Sequence, residues 1–243
     1  MSNKKDLFSF LDLTSLNPTD NNYTIDTLVD FAIDQNKRGY SVAAICVFSN
    51  FAQQVKSKLV GTSMHTAVVA GAFPHGQQPL SVKVLEIEEA VKNGADEIDI
   101  VINRGLFFEK RFDLVKEELI NLRKAADGVI LKTILETGEL KTPENIKLAS
   151  ELAIEAGADF IKSSTGKIER GASPEAIQAM CEAIKKHHLT TGKKIGIKVS
   201  GGVRTLADAL IYVDLVKSIL GDEWLTPTLF RIGASSLAYD LID

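Results

Sequence analysis

The sequence predicts an α/β protein in which residues 1–243 form one (β/α)8 barrel, the TIM-barrel fold. Short apolar runs alternate with charged stretches of helical period along the whole chain, as successive βα units require. Eight such runs fit the length of a barrel domain. No Pro/Ser-rich linker, low-complexity tract or shift in composition marks a second domain. A doubly wound open sheet is the competing architecture.

The eight strand candidates are short and rich in Val, Ile, Leu and Phe. Several are apolar on both faces, which is typical of parallel strands covered by helices. In chain order they are Phe8–Leu13, Val42–Phe48, Thr66–Ala72, Glu97–Ile102, Val129–Glu136, Phe160–Ser164, Ile195–Ser200 and Leu229–Gly233. Between them, the stretches that show the helical period include Val82–Asn93, Asp113–Ala126, Pro143–Ala156 and Pro174–His188.

Composition excludes several classes of protein. The formal net charge is -4 and the isoelectric point is about 5.7, whereas a nucleic-acid-binding protein would carry a basic surplus. No stretch approaches membrane-spanning length, and Met1–Phe8 contains no apolar core for a signal peptide. Cys46 and Cys181 lie far apart and form no metal-ligand motif. We therefore expect a cytoplasmic protein with reduced cysteines and with neither a nucleic-acid nor a membrane partner.

Three lysines lie inside apolar runs where valine or isoleucine is usual. They are Lys132, Lys162 and Lys198, in strand candidates five, six and seven. Lysine is rarely buried without a partner, because desolvating its ammonium is expensive. Burial and neighbouring cations both lower the pKa of a lysine, and the neutral amine is a nucleophile toward carbonyl carbons. The pattern predicts Schiff-base chemistry without indicating which lysine is the nucleophile.

An acidic residue accompanies these lysines. The phrase Gly-Ala-Asp before a strand occurs at residues 94–99 and again at 157–162, and aligning the copies places Asp99 and Lys162 at one height in strands four and six. Alternate strands of a barrel contribute to the same interior layer. Asp99 and Lys162 should therefore share a layer, with Lys132 and Lys198 in a neighbouring one. A structural ion pair is the alternative role for Asp99.

Small-residue loops follow strands six, seven and eight. Glycines let backbone N–H groups approach an anion closely, and TIM barrels often bind phosphate after strands seven and eight. Arg204 adds a guanidinium that suits phosphate, although an ordinary turn is the alternative for any single loop. The candidate substrate- and phosphate-binding residues, with one at the end of strand one, are Thr14, Thr165, Gly166, Lys167, Gly201, Gly202, Val203, Arg204, Gly233, Ala234, Ser235 and Ser236.

Several other residues carry weaker indications. His75 lies in a loop where a turn role is at least as good an interpretation, and Cys46 is expected to pack as a small hydrophobe. Glu136 and Glu139 follow strand five and should anchor the loop there. We predict no metal site, because ligand spacing is absent from the other three histidines, His65, His187 and His188.

In these phrases the sequence resembles the deoxyribose-phosphate aldolases, which are class I aldolases built on a (β/α)8 barrel. The similarity covers almost the whole chain in order, and its last three phrases together are highly specific. The matching phrases are Asp12–Thr14, Ala44–Cys46, Phe73–Gly76, Gly94–Asp99, Leu131–Gly138, Gly157–Lys167, Ile197–Thr205 and Phe230–Ser236.

The resemblance implies that Lys162 forms the Schiff base, that Lys198 tunes its protonation and that Asp99 shuttles protons, with Lys132 in support. It implies reversible cleavage of 2-deoxy-D-ribose 5-phosphate to D-glyceraldehyde 3-phosphate and acetaldehyde. No metal or organic cofactor is implied. The implied partners are a small phosphosugar and aldehydes, and a homodimer is a common assembly among barrel enzymes of this family.

Two features depart from the family pattern. Val199-Ser200 stands where many relatives have Ala or Pro followed by Ala. Some members also carry a longer C-terminal tail whose tyrosine helps move the proton on the enamine carbon. This sequence ends at Asp243 and places Tyr239 in the expected last helix, so the resemblance assigns no residue to that step.

Two other functions stay open at this point. A barrel isomerase or epimerase acting on phosphosugars would keep the phosphate loops but would need no cluster of strand lysines. A non-catalytic phosphosugar-binding protein would keep the pocket but would show neither turnover nor covalent trapping.

Overall fold

Eight parallel strands close into one barrel in chain order, in a computed structural model that describes residues 4–242. The predicted (β/α)8 fold is confirmed and the open-sheet alternative is wrong. The strands are β1 Leu11–Thr14, β2 Ala44–Phe48, β3 His65–Val69, β4 Glu97–Val101, β5 Ile130–Ile134, β6 Phe160–Lys162, β7 Gly196–Ser200 and β8 Phe230–Ala234.

Helices surround the barrel. They are α1 Lys4–Ser9, α2 Asn22–Lys37, α3 Ala52–Lys58, α4 Leu80–Lys92, α5 Arg104–Phe108, α6 Phe112–Ala125, α7 Thr137–Leu140, α8 Pro143–Glu155, α9 Pro174–Thr191, α10 Leu206–Leu220 and α11 Leu237–Ile242. The four predicted helices correspond to α4, α6, α8 and α9, with small shifts at their ends. Over residues 4–242, no helix combines the length and the apolar character that crossing a membrane requires.

The first predicted strand begins too early. Phe8 and Ser9 belong to α1, and β1 starts only at Leu11. Leu7 and Phe8 are fully buried, and the Phe8 ring meets the edge of the Tyr40 ring with centroids 5.5 Å apart. A short apolar run is compatible with either a buried helix or a buried strand, so periodicity alone cannot separate them.

Helix α10 begins where the loop after β7 ends. The Thr205 hydroxyl accepts a hydrogen bond from the N–H of Asp208 at 3.2 Å, and the Asp208 carboxylate accepts from the N–H of Thr205 at 2.9 Å. This capping box satisfies N–H groups that the first helical turn leaves unpaired. The Asp208 carboxylate also accepts from the N–H of Arg204 at 3.0 Å, so the cap fixes the end of that loop.

The two sides of the sheet differ in chemistry. The outer face packs against the helices through one large apolar cluster. Inside the barrel, small apolar side chains from β2 and β3 form a separate cluster that includes Ala44, Cys46, Ala67 and Val69. The side chains from β1, β4, β5, β6, β7 and β8 bring buried charges into the interior. The helix-facing core therefore supplies apolar burial, while part of the interior is free to carry chemistry.

Gly196 on β7 is required by its close contact with Phe160 on β6. A methyl group at residue 196 would lie 2.3 Å from the Phe160 ring, too close for any real contact. We expect Gly196→Ala to lower the free energy of unfolding by about 1–3 kcal/mol through overpacking. Urea denaturation measures the change.

Phe160→Leu provides the matched control, since it removes the ring that causes the clash. The double variant should lose less stability than the sum of the two single variants, because the two side chains are in contact. Strict additivity would contradict a direct clash.

Candidate active site

A cavity of about 330 Å³ opens at the C-terminal ends of the strands. The loops after β1, β6, β7 and β8 form its walls, and Lys162 lies at its base. All twelve residues predicted to bind substrate or phosphate line this one cavity. Binding sites of TIM barrels lie at this face of the barrel, because the βα loops converge there.

Asp99 lies below the cavity and contacts all three strand lysines. Its Oδ1 is 2.7 Å from Lys132 Nζ, and its Oδ2 is 2.7 Å from both Lys162 Nζ and Lys198 Nζ. Strand register explains the convergence: Asp99 pairs with Lys132 across β4 and β5, and Lys162 pairs with Lys198 across β6 and β7. The side chains of both predicted layers thus meet at a single carboxylate.

A second group of buried charges lies beside Asp99. Asp12 Oδ2 is 2.5 Å from Lys198 Nζ, and Asp12 Oδ1 accepts from Arg231 Nη1 at 2.6 Å. Glu97 accepts from Arg231 Nη2 at 2.8 Å and lies 2.6 Å from Lys132 Nζ. All of these side chains are at most 3% exposed.

Sequence analysis missed this second group. Glu97 precedes Asp99 by two positions on β4, so the period of a strand places both carboxylates on one face. Arg231 is a cation inside the apolar strand β8, the same anomaly that identified the lysines. Asp12 lies at the end of strand one, where the sequence indicated only polar groups that could contact a substrate. Applying the criterion for buried charges to every strand would have found all three.

The charges of this network balance when one lysine is neutral. Asp12, Glu97 and Asp99 supply three negative charges, and Lys132, Lys198 and Arg231 supply three positive ones. Lys162 is the remaining cationic side chain in contact with Asp99. A buried site strongly disfavours uncompensated charge, so the proton that this network holds least firmly is the one on Lys162.

Acid–base equilibria in the network follow the same logic. Burial raises the pKa of Asp99, but the charges of Lys132, Lys162 and Lys198 outweigh it and hold the pKa well below its ordinary value. Burial lowers the pKa of Lys198, but the carboxylates of Asp12 and Asp99 outweigh it and raise the pKa well above its ordinary value. The pKa of Lys132 is raised for the same reason, because the carboxylates of Asp99 and Glu97 outweigh the effect of burial.

The pKa of Lys162 is shifted in the opposite direction, below its ordinary value. Burial lowers its pKa most, the Lys198 ammonium lowers it further, and Asp99 opposes both without reversing them. Asp99 is a weak counterion for Lys162 because two other ammonium groups share the same carboxylate. Lys162 is therefore the lysine that most readily becomes a free amine.

Solvent access distinguishes the same residue. The side chains of Lys132 and Lys198 are fully buried, whereas 3% of the Lys162 side chain is exposed and it borders the cavity. A molecule in the cavity can reach only this one of the three amines. Burial and charge therefore single out Lys162 among the three strand lysines, a distinction that the residue pattern had left open.

The glycines around the cavity leave its backbone accessible. Gly166 and Gly202 have positive φ angles of 71° and 92°, and the space where each Cβ would lie is open. Left-handed backbone of this kind favours glycine. At Gly233, a Cβ would lie 3.1 Å from Lys198 Cε and from Ser200 Cβ. A side chain there would press on Lys198, which shares Asp99 Oδ2 with Lys162.

The sequence predicted that Glu136 anchors the loop after strand five, whereas the structure shows its carboxylate holding the loop after β6. The carboxylate is fully buried and accepts hydrogen bonds from the hydroxyls of Ser164 at 2.7 Å and Thr165 at 2.5 Å. Arg104 compensates its charge at 3.4 Å and also pairs with Glu139 at 2.9 Å. The anchored segment continues into Gly166 and Lys167, so Glu136 holds part of the cavity wall in place.

The weaker candidates occupy different places. Thr14 lines the cavity, and its hydroxyl donates to the Asp12 carbonyl at 2.7 Å. His75 has a turn role, since its N–H and carbonyl both bond to backbone or to Arg104. Cys46 is fully buried in the apolar cluster of the interior, and burial raises the pKa of its thiol. In residues 4–242, the His, Cys, Asp and Glu side chains form no group of three suited to a metal ion.

Comparison with known proteins identifies relatives along nearly the whole chain. The family model of the DeoC/LacD family aldolases matches residues 9–237. Proteins from Mus musculus and Homo sapiens, each named deoxyribose-phosphate aldolase, are 42% identical over 246 residues, which cover 96% of this chain and 77% of theirs.

Solved structures of aldolases superpose on this chain. The deoxyribose phosphate aldolase of Aeropyrum pernix, described as a unique tetramer, superposes with a TM-score of 0.79 at 27% identity, covering 98% of this chain and 90% of that chain. An aldolase called QR15 superposes with a TM-score of 0.80 at 32% identity, covering 98% and 96%. From the family match, the relatives that match 96% of this chain and the shared barrel, we conclude that this chain belongs to the DeoC/LacD family of aldolases and is a lyase.

Proposed function

We propose that the enzyme reversibly cleaves 2-deoxy-D-ribose 5-phosphate to D-glyceraldehyde 3-phosphate and acetaldehyde through a Schiff base on Lys162. The observation that carries this proposal is that Lys162, alone among the three strand lysines, borders a cavity rimmed by glycine loops, where its pKa is lowered. The names of the mouse and human relatives support the choice of substrate.

The reaction begins with the neutral amine of Lys162. It adds to the C1 aldehyde of the open-chain sugar and forms a carbinolamine. Lys198 and Asp99 are placed to donate and accept the protons of this step, and their Nζ and Oδ2 atoms lie 2.7 Å apart. Protonation of the carbinolamine hydroxyl releases water and leaves an iminium. The new positive charge lies beside Asp99, whose carboxylate replaces the water that would stabilise the ion in solution.

Carbon–carbon cleavage uses the iminium as an electron sink. A base removes the proton of the C3 hydroxyl, the electrons of the C2–C3 bond move into the iminium, and glyceraldehyde 3-phosphate leaves. Lys162 then carries an enamine. A proton is added to its terminal carbon, and water hydrolyses the resulting iminium to acetaldehyde and the free amine. The covalent intermediate divides one difficult step into easier ones.

The cavity rim binds the phosphate in this proposal. Gly166, Gly202 and Gly233 leave backbone N–H groups accessible to the phosphate. Lys167 and Arg204 supply the positive charge. Binding the far end of the sugar orients C1 toward Lys162, so that remote binding energy assists the reacting centre.

The proposal also covers the domain organisation, location, partners and assembly of the enzyme. Residues 1–243 act as a single aldolase domain in the cytoplasm, and its partners are a small phosphosugar and aldehydes, without nucleic acid or membrane. The steps above require no metal or organic cofactor. The homodimer expected from barrel enzymes of the family stays a prediction, and the relative from Aeropyrum pernix is described as a tetramer.

Borohydride trapping tests the nucleophile directly. Reduction in the presence of acetaldehyde should leave a two-carbon adduct on Lys162, located by peptide mass spectrometry. Lys162→Met should abolish the adduct, and EDTA should leave turnover intact. An adduct mainly on Lys132 or Lys198 would contradict the assignment, and turnover that depends on a metal would contradict the Schiff-base mechanism.

Lys198→Leu tests how the amine is kept neutral. The variant removes a repelling cation and leaves Asp99 freer to pair with Lys162, so the Lys162 pKa should rise. A raised pKa means more ammonium at neutral pH, and kcat/KM there should fall about tenfold for each pKa unit. Part of the loss should return at alkaline pH, where Lys162 loses its proton without assistance.

The matched control is Lys83→Leu, which removes a fully buried lysine paired with Glu118 at 2.8 Å outside the barrel interior. It should lower stability without moving the pH profile. If Lys198→Leu depresses kcat/KM equally at every pH, Lys198 acts through proton transfer or positioning instead.

Gly202→Glu tests the phosphate loops. The added carboxylate would fill open space at the cavity rim and repel the phosphate, so KM for the phosphorylated sugar should rise about tenfold or more. Cleavage of unphosphorylated deoxyribose should change much less. Gly202→Ala imposes the same strain at positive φ without the charge, and it serves as the control. Equal loss with both sugars would show that the loop is structural.

A further inference from the structure

Glu97 and His65 form a hydrogen-bonded pair that the proposed mechanism does not use. These two residues lie at the N-terminal ends of β3 and β4. His65 Nδ1 is 2.7 Å from Glu97 Oε1, and the His65 side chain is 44% exposed while that of Glu97 is fully buried. Neither residue borders the cavity above Lys162.

The pair connects to the nucleophile through an unbroken series of short contacts. Glu97 Oε2 lies 2.6 Å from Lys132 Nζ, and Lys132 Nζ lies 2.7 Å from Asp99 Oδ1. Asp99 Oδ2 lies 2.7 Å from Lys162 Nζ. Basic and acidic side chains alternate along this series, from a partly solvent-exposed imidazole to the amine at the base of the cavity.

A buried charge of this kind calls for a reason beyond stability. Well-packed apolar residues often stabilise a protein as well as a buried ion pair or better, since the ions lose their hydration. The barrel interior already contains such packing on β2 and β3, at Ala44, Cys46, Ala67 and Val69. The charges on the other strands are therefore explained by what they do to the group at the end of the series.

We propose that His65 and Glu97 are positioning residues for the Schiff-base reaction, which act through Lys132 and Asp99 to set the pH at which Lys162 becomes the neutral amine. The inference rests on the proposed function, since it assigns a purpose to the neutral amine. The Lys132 ammonium occupies one oxygen of Asp99 and disfavours a further ammonium at Lys162, whereas the Glu97 carboxylate opposes Lys132 and favours that ammonium. His65 donates to Glu97 and is the end of the series that solvent can reach.

The groups that face each member come from several strands. Around Lys162 they are Asp99, Lys198 and Cys46. Around Glu97 they are Lys132, Arg231 and His65, with Asp12 nearby. Around His65 they are Glu97, Asp96 and Arg231, and the hydrogen bond to Glu97 raises the pKa of the imidazole.

Charge-changing variants of the Glu97–Lys132 pair give opposite predictions. Glu97→Gln removes a negative charge from the network, so protonation of Lys162 becomes less favourable. The acid limb of kcat/KM, and of borohydride trapping with acetaldehyde, should move to lower pH by about one unit. Lys132→Met removes a positive charge, so the same limb should move to higher pH by a similar amount.

The double variant Glu97→Gln/Lys132→Met restores the balance of charge, and its limb should return close to that of the wild type. A purely structural role would lower the height of all three profiles without moving their limbs in opposite directions. Glu118→Gln is the matched control, because it breaks a largely buried ion pair with Lys83 outside the barrel interior. It should leave the limb in place.

A second measurement does not depend on turnover. The chain contains four histidines, so NMR can follow the titration of His65 individually. Charge coupling is reciprocal. The pKa of His65 should therefore be lower in Lys162→Arg, where the charge is fixed, than in Lys162→Met, by about half a unit. His187 and His188 serve as internal references that should titrate alike in both variants.

The outcomes separate the inference from the proposed function. If the wild type gives no adduct on Lys162, the proposed function is wrong. If the adduct forms but the limbs of Glu97→Gln and Lys132→Met stay in place or move in the same direction, the inference is wrong. Should a single variant fail to fold, the NMR comparison decides, and identical His65 titration in both Lys162 variants overturns the coupling.

Discussion

The structure of the site depends on one carboxylate that three ammonium groups share. Asp99 lies 2.7 Å from the Nζ atoms of Lys132, Lys162 and Lys198. A carboxylate with one ammonium partner would hold the proton of that partner firmly. With three, its attraction is divided, and the ammonium with the fewest other counterions is the first to lose its proton. Lys132 and Lys198 have Glu97 and Asp12 as additional anions, whereas Asp99 is the acidic partner of Lys162.

The barrel makes such an arrangement tolerable. Its outer face packs against the helices through an extensive apolar core, which supplies the favourable burial that the charged part of the interior does not. Parallel register then places charged side chains from six strands around one axis at fixed distances. A rigid backbone is needed, because small displacements of buried charges change their interaction energies greatly at low dielectric.

Lys162 and the loops that line the cavity are coupled through the backbone. Lys162 ends β6, and the residues that follow it are held by Glu136 before they reach the cavity rim. Lys198 lies on β7 directly before the loop that contains Gly201 and Gly202, and Gly233 on β8 packs against its side chain. The groups proposed to bind phosphate and the groups proposed to react are thus extensions of the same strands.

The sequence by itself determined the (β/α)8 class, the three strand lysines, Asp99 and the small-residue loops, since buried charges in apolar runs and glycines at strand ends are local patterns. It misplaced Phe8 and Ser9, because a short apolar run suits a helix or a strand, and it overlooked Glu97, Arg231 and Asp12 as a group. The local residue pattern did not distinguish Lys162 from Lys132 and Lys198, and beyond the family resemblance it was the tertiary structure that did. The pKa of a buried amine depends on distances to charges on other strands and on access to solvent, and neither quantity is encoded in the local sequence around the lysine.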